Sequence, residues 1–289
     1  YLALERSLGP LALTVTDGQL TTVSGTFSTP PESALTVDWR TRDTTPGSFA
    51  SFRTAIHPGT LGDLYEHDFF LAALPSGSYG FYGSAPDLVA MFLQDSARPA
   101  QSDQLITFSY RDPFPAAWTR FAEAVSVFSV PYDVPRTGTD GGTAFTTESA
   151  FLLALDALPA FPLSPLAPQV SPVTNPLVNG ASWFSDQTLS GTTPLISWSA
   201  PAVGTPDFYS LRIRRVSAGP TGGVVKTEVA RLVTRATSLR VPPGILQPGS
   251  YYLLRLTAAV QPGRTQTATY ESPFPLHTAP VMSGVLRTP

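Results

Sequence analysis

The amino-acid sequence predicts an all-β protein built from two β-sandwich-type domains. Three observations carry that expectation. The chain of 289 residues exceeds one ordinary sandwich. Its 30 prolines and 22 glycines follow no collagen-like period and punctuate the chain with turns. Between those turns lie short stretches in which apolar and polar residues alternate with the period of a strand.

In the first half this alternation predicts strands over residues 11–16, 20–27 and 34–39. In the last of these Leu35, Val37 and Trp39 alternate with Thr36 and Asp38. Asp17-Gly18 marks a hairpin turn between the first two. Further strands are expected over residues 69–74, 79–82, 88–93, 105–110, 125–130 and 151–155. Two short helices are expected. One covers residues 47–56, where Pro46 suits a first turn and Phe49, Phe52 and Ile56 share a face, and the other covers 116–124.

The stretch from Leu158 to Pro176 carries six prolines and reads as a linker, dividing the chain into domains 1–165 and 166–289. Charge changes sign there. Residues 1–165 hold 17 acidic and 8 basic side chains, net −9, whereas 166–289 hold 4 and 10, net +6. Complementary halves are expected to dock on one another, with arginines such as Arg212 and Arg214 facing acidic loops.

The second half alternates more clearly. Strands are expected over 195–198, 208–216, 224–229, 237–241 and 252–260, and a last strand within 267–276. The run Leu246-Gln247-Pro248-Gly249-Ser250-Tyr251-Tyr252, followed by Leu254, Leu256 and Ala258, resembles the L-x-P-G-x-x-Y signature of fibronectin type III domains. Trp198 and Tyr209 stand where such domains keep core aromatics. The resemblance spans about residues 170–280 and implies an immunoglobulin-like sandwich used as a spacer or binding module. It also implies a tyrosine corner, with the Tyr252 ring in the core and its hydroxyl bonded to nearby backbone. The first half resembles no family.

Composition narrows the chemistry. Cysteine is absent, which excludes disulfides, thiolate catalysis and cysteine zinc sites. Seventeen arginines against the single Lys226 point to a GC-rich bacterial genome, and neither Asn175 nor Asn179 heads a glycosylation sequon. A pI near 5.6 and the lack of a basic groove disfavour nucleic acid. No apolar run reaches the length of a membrane helix. The chain starts at Tyr1; that it is secreted, with any leader or lipid anchor removed, is an expectation resting on architecture and composition.

Candidate sites are few. His57, Asp63, His67 and Asp68 supply metal-ligand chemistry, but no pair has a recognised ligand spacing, so a solvated polar loop outweighs a metal site and no cofactor is expected. Ser78 lacks the glycine two residues upstream that a nucleophile elbow needs. Of the aromatics Trp39, Tyr65, Tyr79, Tyr82, Tyr110, Phe114 and Trp118, the ring faces of Tyr79, Tyr82 and Trp118 are the candidates for holding a sugar or peptide. The expected function is non-enzymatic: binding or scaffolding, towards protein or glycan, at the surface or in the envelope of a high-GC bacterium. A carbohydrate-binding accessory region of a secreted hydrolase is the alternative, and a hydrolase proper requires converging acids in the first half.

Overall fold

The computed structural model of the protein describes residues 2–8, 14, 16–39, 52–59, 65–74, 78–79, 87–94, 104–134, 143–161, 166, 168–218, 224–262, 272–273 and 275–289. The first half comprises β1 (Leu2–Ala3), β2 (Ser7–Leu8), β3 (Phe27–Ser28), β4 (Glu32–Trp39), α1 (Arg53–Ile56), β5 (Tyr65–Leu74), β6 (Ser78–Tyr79), β7 (Asp87–Gln94), β8 (Gln104–Arg111), β9 (Thr119–Val134) and β10 (Thr143–Ala157). The second comprises β11 (Thr174–Val178), β12 (Ala181–Ser182), β13 (Gln187–Thr188), β14 (Leu195–Ser199), β15 (Phe208–Ala218), β16 (Val224–Thr234), β17 (Ser238–Arg240), β18 (Tyr251–Val260), β19 (Ser272–Pro273), β20 (His277–Met282) and β21 (Leu286–Arg287). The protein is all-β, as its turn-rich alternation predicts.

In the first half a five-stranded sheet, ordered β1-β7-β5-β9-β10, is faced by the β4–β8 pair. Leu35, Val37, Phe108 and Tyr110 of the pair point inward against Phe69, Leu71 and Ala73 of β5. Phe69 and Phe108 stack with centroids 5.1 Å apart and planes 3° from parallel. Leu4 ties the two layers at one edge: its N–H donates to Leu88 O and its carbonyl accepts from Arg111 N.

Two expectations fail here. Residues 116–124 are not helical: 119–134 run as a strand whose residues 121–124 are buried on both faces. A strand covered on both sides has no alternating pattern to reveal it. The strand expected over 20–27 is represented only by Phe27–Ser28, and Leu20 lies 96% exposed. The turn at Asp17-Gly18 is present, with Gly18 at φ 72° and Gln19 N donating to Thr16 O. Of the expected helix 47–56, Phe52–Ile56 is helical; residues 47–51 lie outside the described ones.

The second half is a sandwich of immunoglobulin-like strand order. One sheet runs β12-β11-β14-β17 and the other β16-β15-β18, continued by β20 and β21, with β13 parallel to β21. Trp183, Trp198, Tyr209, Leu211, Tyr252, Leu254 and Leu256 fill the space between them. Trp183, fully buried, is a core residue the strand pattern did not single out, because it sits in a turn after β12. Within the 267–276 expected as a last strand, Ser272–Pro273 is the short strand β19, residues 267–270 lie outside the described ones, and the strands β20 and β21 follow from His277.

The Pro-rich stretch is packed where it is described. Phe161 meets Phe69 edge-on at 6.0 Å, Leu166 N donates to Asp38 O, and Val170 and Val173 are buried. Proline forfeits a ladder donor but keeps an apolar ring, so a segment excluded from strands still buries surface.

Contacts between the halves combine hydrogen bonds with aromatic packing. The Tyr132 hydroxyl donates to Ser283 O at 2.9 Å, where the last strand breaks between β20 and β21. His57 lies against Tyr132 and, edge-on, against Phe184, at 5.6 and 5.7 Å. Leu155 and Leu276 exchange both backbone hydrogen bonds, and Lys226 reaches Thr147 Oγ1 at 2.9 Å. Arg212 does not face a first-half acid; it pairs with Glu228 of the neighbouring strand at 3.0 Å.

The corner before β18 is held by side chains. Gln247 N donates to the Tyr252 hydroxyl at 2.8 Å, Thr288 Oγ1 donates to Gln247 O at 2.6 Å, and Ser250 N donates to Thr288 Oγ1 at 2.9 Å. Replacing Tyr252 by Phe leaves the Gln247 N–H without its acceptor and lowers unfolding free energy by about 1–2 kcal/mol. Urea denaturation of the variant checks this; an unchanged midpoint removes the hydroxyl from the account of stability.

Candidate ligand-binding cleft

Between β8 and β9 the chain makes a loop, residues 112–118, that one side chain organises. The Arg120 guanidinium forms five hydrogen bonds: Nε and Nη2 to the two Asp112 carboxylate oxygens, Nη2 also to Phe114 O, and Nη1 to Pro115 O and Trp118 O. A guanidinium has five N–H donors, so this one is saturated. The Arg120–Asp112 pair is bidentate, at 2.7 and 2.9 Å, and both side chains are largely buried. Asp112 also accepts from Phe114 N, and Trp118 N donates to Pro115 O. Pro113 and Pro115 restrict the backbone further.

The loop so fixed brings Phe114 and Trp118 into parallel contact, centroids 5.1 Å apart and planes at 6°. Both rings are half-buried and rest on the core, while Pro115, Ala116 and Ala117 are exposed. Tyr110 and Arg111, which precede the loop, help to line a cleft of about 530 Å³, with Leu4, Glu5, Arg6 and Glu32 among its other walls. Arg111 reaches Pro30 O at 2.6 Å and Glu32 at 3.2 Å across it. Burial, and next the Asp112 charge, raise the Tyr110 hydroxyl above its usual pKa, with Arg120 acting against them; the phenol stays neutral. The cleft thus offers two arginines, two carboxylates and a phenol, and the loop that follows Arg111 carries the stacked aromatic pair. Such a set orients a polar ligand through directed hydrogen bonds.

Of the aromatic candidates, Trp118 belongs to this site. Tyr82 and the Tyr79 side chain lie outside the described ones. Trp198, Tyr209 and Tyr252 are core residues of the second half, and the Trp198 and Tyr209 rings meet at 5.1 Å and 67°. Tyr110 was weighed from sequence only as one of seven aromatics, and Arg120 was assigned no role; the signal that was present is the pair of prolines between Arg111-Asp112 and Arg120.

The metal candidates separate. His57 sits after α1, its Nδ1 accepting from Gly59 N; burial lowers its pKa, with Asp186 opposing. Asp68 lies on β5, and its charge acts on Glu123 of β9. Asp63 and the His67 side chain lie outside the described residues. Among the described residues no three His, Cys, Asp or Glu side chains converge as a metal site.

Glu123 is itself unusual. It is 8% exposed, shares the outer face of the five-stranded sheet with Phe70, Ala72 and Phe121, and its Oε2 has no hydrogen-bond partner. Burial, then the charges of Asp68 and Asp87, push its pKa up to about 8.

No family model matches the chain, and no curated protein matches it in sequence. Among solved structures it is similar to the FN1-FN3 domains of chicken CNTN1, at 11% identity and a TM-score of 0.21, over 88% of this chain and 68% of that one. The immunoglobulin-like architecture therefore stands on the strand order given above. Among the described residues no helix is long and apolar enough to cross a membrane.

The Glu123 carboxyl sets a pH dependence. Its folded pKa near 8 exceeds the unfolded 4.5, so its share of stability is complete below 4.5 and is lost as pH rises towards 8. Glu123→Gln removes that loss and stabilises the protein at pH 8 by about 4 kcal/mol, with little effect at pH 4. Thermal melts of both proteins between these values check it; parallel curves refute it.

Proposed function

We propose that this chain is a non-enzymatic binding or scaffold module, and that the Arg120-clamped loop with its adjoining cleft is its ligand-binding surface. The observation that supports the reading is the saturation of Arg120. Its five hydrogen bonds order seven loop residues before any ligand arrives, which lowers the entropic cost of binding. A loop that only connects two strands has no need of such restraint.

Carbohydrate is the second reading, favoured by the stacked Phe114–Trp118 pair of the loop and by Arg6, Glu5, Glu32 and Arg111 of the cleft that adjoins it at Arg111. Exposed ring edges and hydroxyl-directing charges suit a sugar. A place in the extracellular space or cell envelope of a high-GC bacterium belongs to the same proposal, supported by the arginine-rich, cysteine-free composition.

Binding of the intact chain to glycan and peptide arrays, followed by titration of the best ligand, tests this. Saturable binding that weakens about tenfold in Trp118→Ala or Arg111→Ala, with the melting temperature little changed, is the expected outcome. Ligands whose affinity ignores both substitutions place the binding surface elsewhere.

A further inference from the structure

The outer face of the β16-β15-β18 sheet concentrates positive charge. Arg231, Arg212 and Arg255 stand opposite one another across the three strands. Arg214 follows Arg212 on the same face of β15, two residues on. One carboxylate, Glu228, lies among them and pairs with Arg212 at 3.0 Å. Like charges placed directly across a sheet destabilise it. Burial, and after it Arg212, Arg214 and Arg231, lower the pKa of Arg255 to about 10.

The cluster grades from buried to open. Arg212 and Arg214 are half-buried and Arg231 is exposed on β16, the edge strand of the sheet. Lys226, further along β16, is engaged with Thr147 and lies over the Phe145 ring. Arg231, whose Nε donates to Ser210 Oγ at 3.1 Å, and the half-buried Arg212 and Arg214 are the cations of this face, and Arg214 makes no ion pair among the described residues.

We propose that this face binds an extended acidic segment of a partner protein. Residues two apart on a strand are spaced about 7 Å, so Arg212 and Arg214 match carboxylates at alternate positions of an extended chain. Guanidinium forks take carboxylates bidentately, and Glu228 on Arg212 already shows a carboxylate seated on this face. The open edge at β16 admits a chain running along the strands. This surface lies on the second half and is distinct from the cleft at Arg111 and Trp118.

The test uses the full chain and a fluorescent peptide of alternating Glu and Thr, about ten residues long to match a strand. Gln-Thr and Lys-Thr peptides are controls, with fluorescence anisotropy read at low and high salt. The Glu-Thr peptide is expected to bind saturably, and Arg231→Glu and Arg214→Glu each to weaken it about tenfold, with an affinity that falls as salt rises. Arg240→Glu, a charge-matched change of an exposed arginine on the other sheet, leaves binding within about twofold. Arg231→Gln and Arg214→Gln, which keep the side chains' polarity, guard against misfolding and weaken binding in the same direction. Absent binding of the Glu-Thr peptide, equal binding of the Gln-Thr peptide, or equal loss in Arg240→Glu overturns the proposal. So does binding of polygalacturonate at these arginines in preference to the peptide, which assigns the face to an acidic glycan.

Discussion

A phenol hydroxyl buried between two sheets has to find an acceptor, and Tyr132 finds it in the other half of the protein. Ser283 O is free to accept because the last strand breaks there, between β20 and β21. The break has its own fastenings: Ser283 exchanges hydrogen bonds with Leu254, Val285 N donates to Asp186, and Gly284 N donates to Trp183 O. Gly284 approaches Ser185 so closely that an added Cβ would lie 2.6 Å from its carbonyl carbon. Around this point His57, Phe145 and Phe184 pack, and burial keeps the Tyr132 proton in place by raising its pKa. The way the two halves meet at this point follows from this seat.

How much of this was legible depends on exposure. Strands with one wet face, such as β4 and β15, announce themselves by alternation: Val37 between Thr36 and Asp38, Leu211 between Ser210 and Arg212. The strand β9 does not, because residues 121–124 are covered on both sides, and the same cover hid Glu123 in what read as a helix. Trp183 escaped for another reason: turn residues carry no periodic signal even when their rings fill a core. The corner at Tyr252 was visible because proline, glycine and tyrosine at fixed spacing reflect a local backbone requirement.

The cleft was legible only in fragments. Trp118 stood out as a ring in a proline-bounded loop, whereas the role of Arg120 depends on carbonyls from Phe114, Pro115 and Trp118 converging on one side chain. The separation of charge between the halves was plain in the sequence, yet the contacts described between them are largely aromatic rings and hydrogen bonds. Short range decides this: buried apolar surface and hydrogen bonds act at contact, while net charge is screened over about 10 Å at moderate salt.

The paired bonds between Leu155 and Leu276 join positions far apart along the chain. Leu276 packs with Ala72, Leu74, Phe121 and Leu155, so one small cluster of the first half draws on a residue near the far end of the sequence. During synthesis those apolar side chains wait for more than a hundred residues to emerge before their cover arrives. Such closure makes folding slow and leaves a sticky intermediate, which gives holdase chaperones a specific surface to shield during biogenesis.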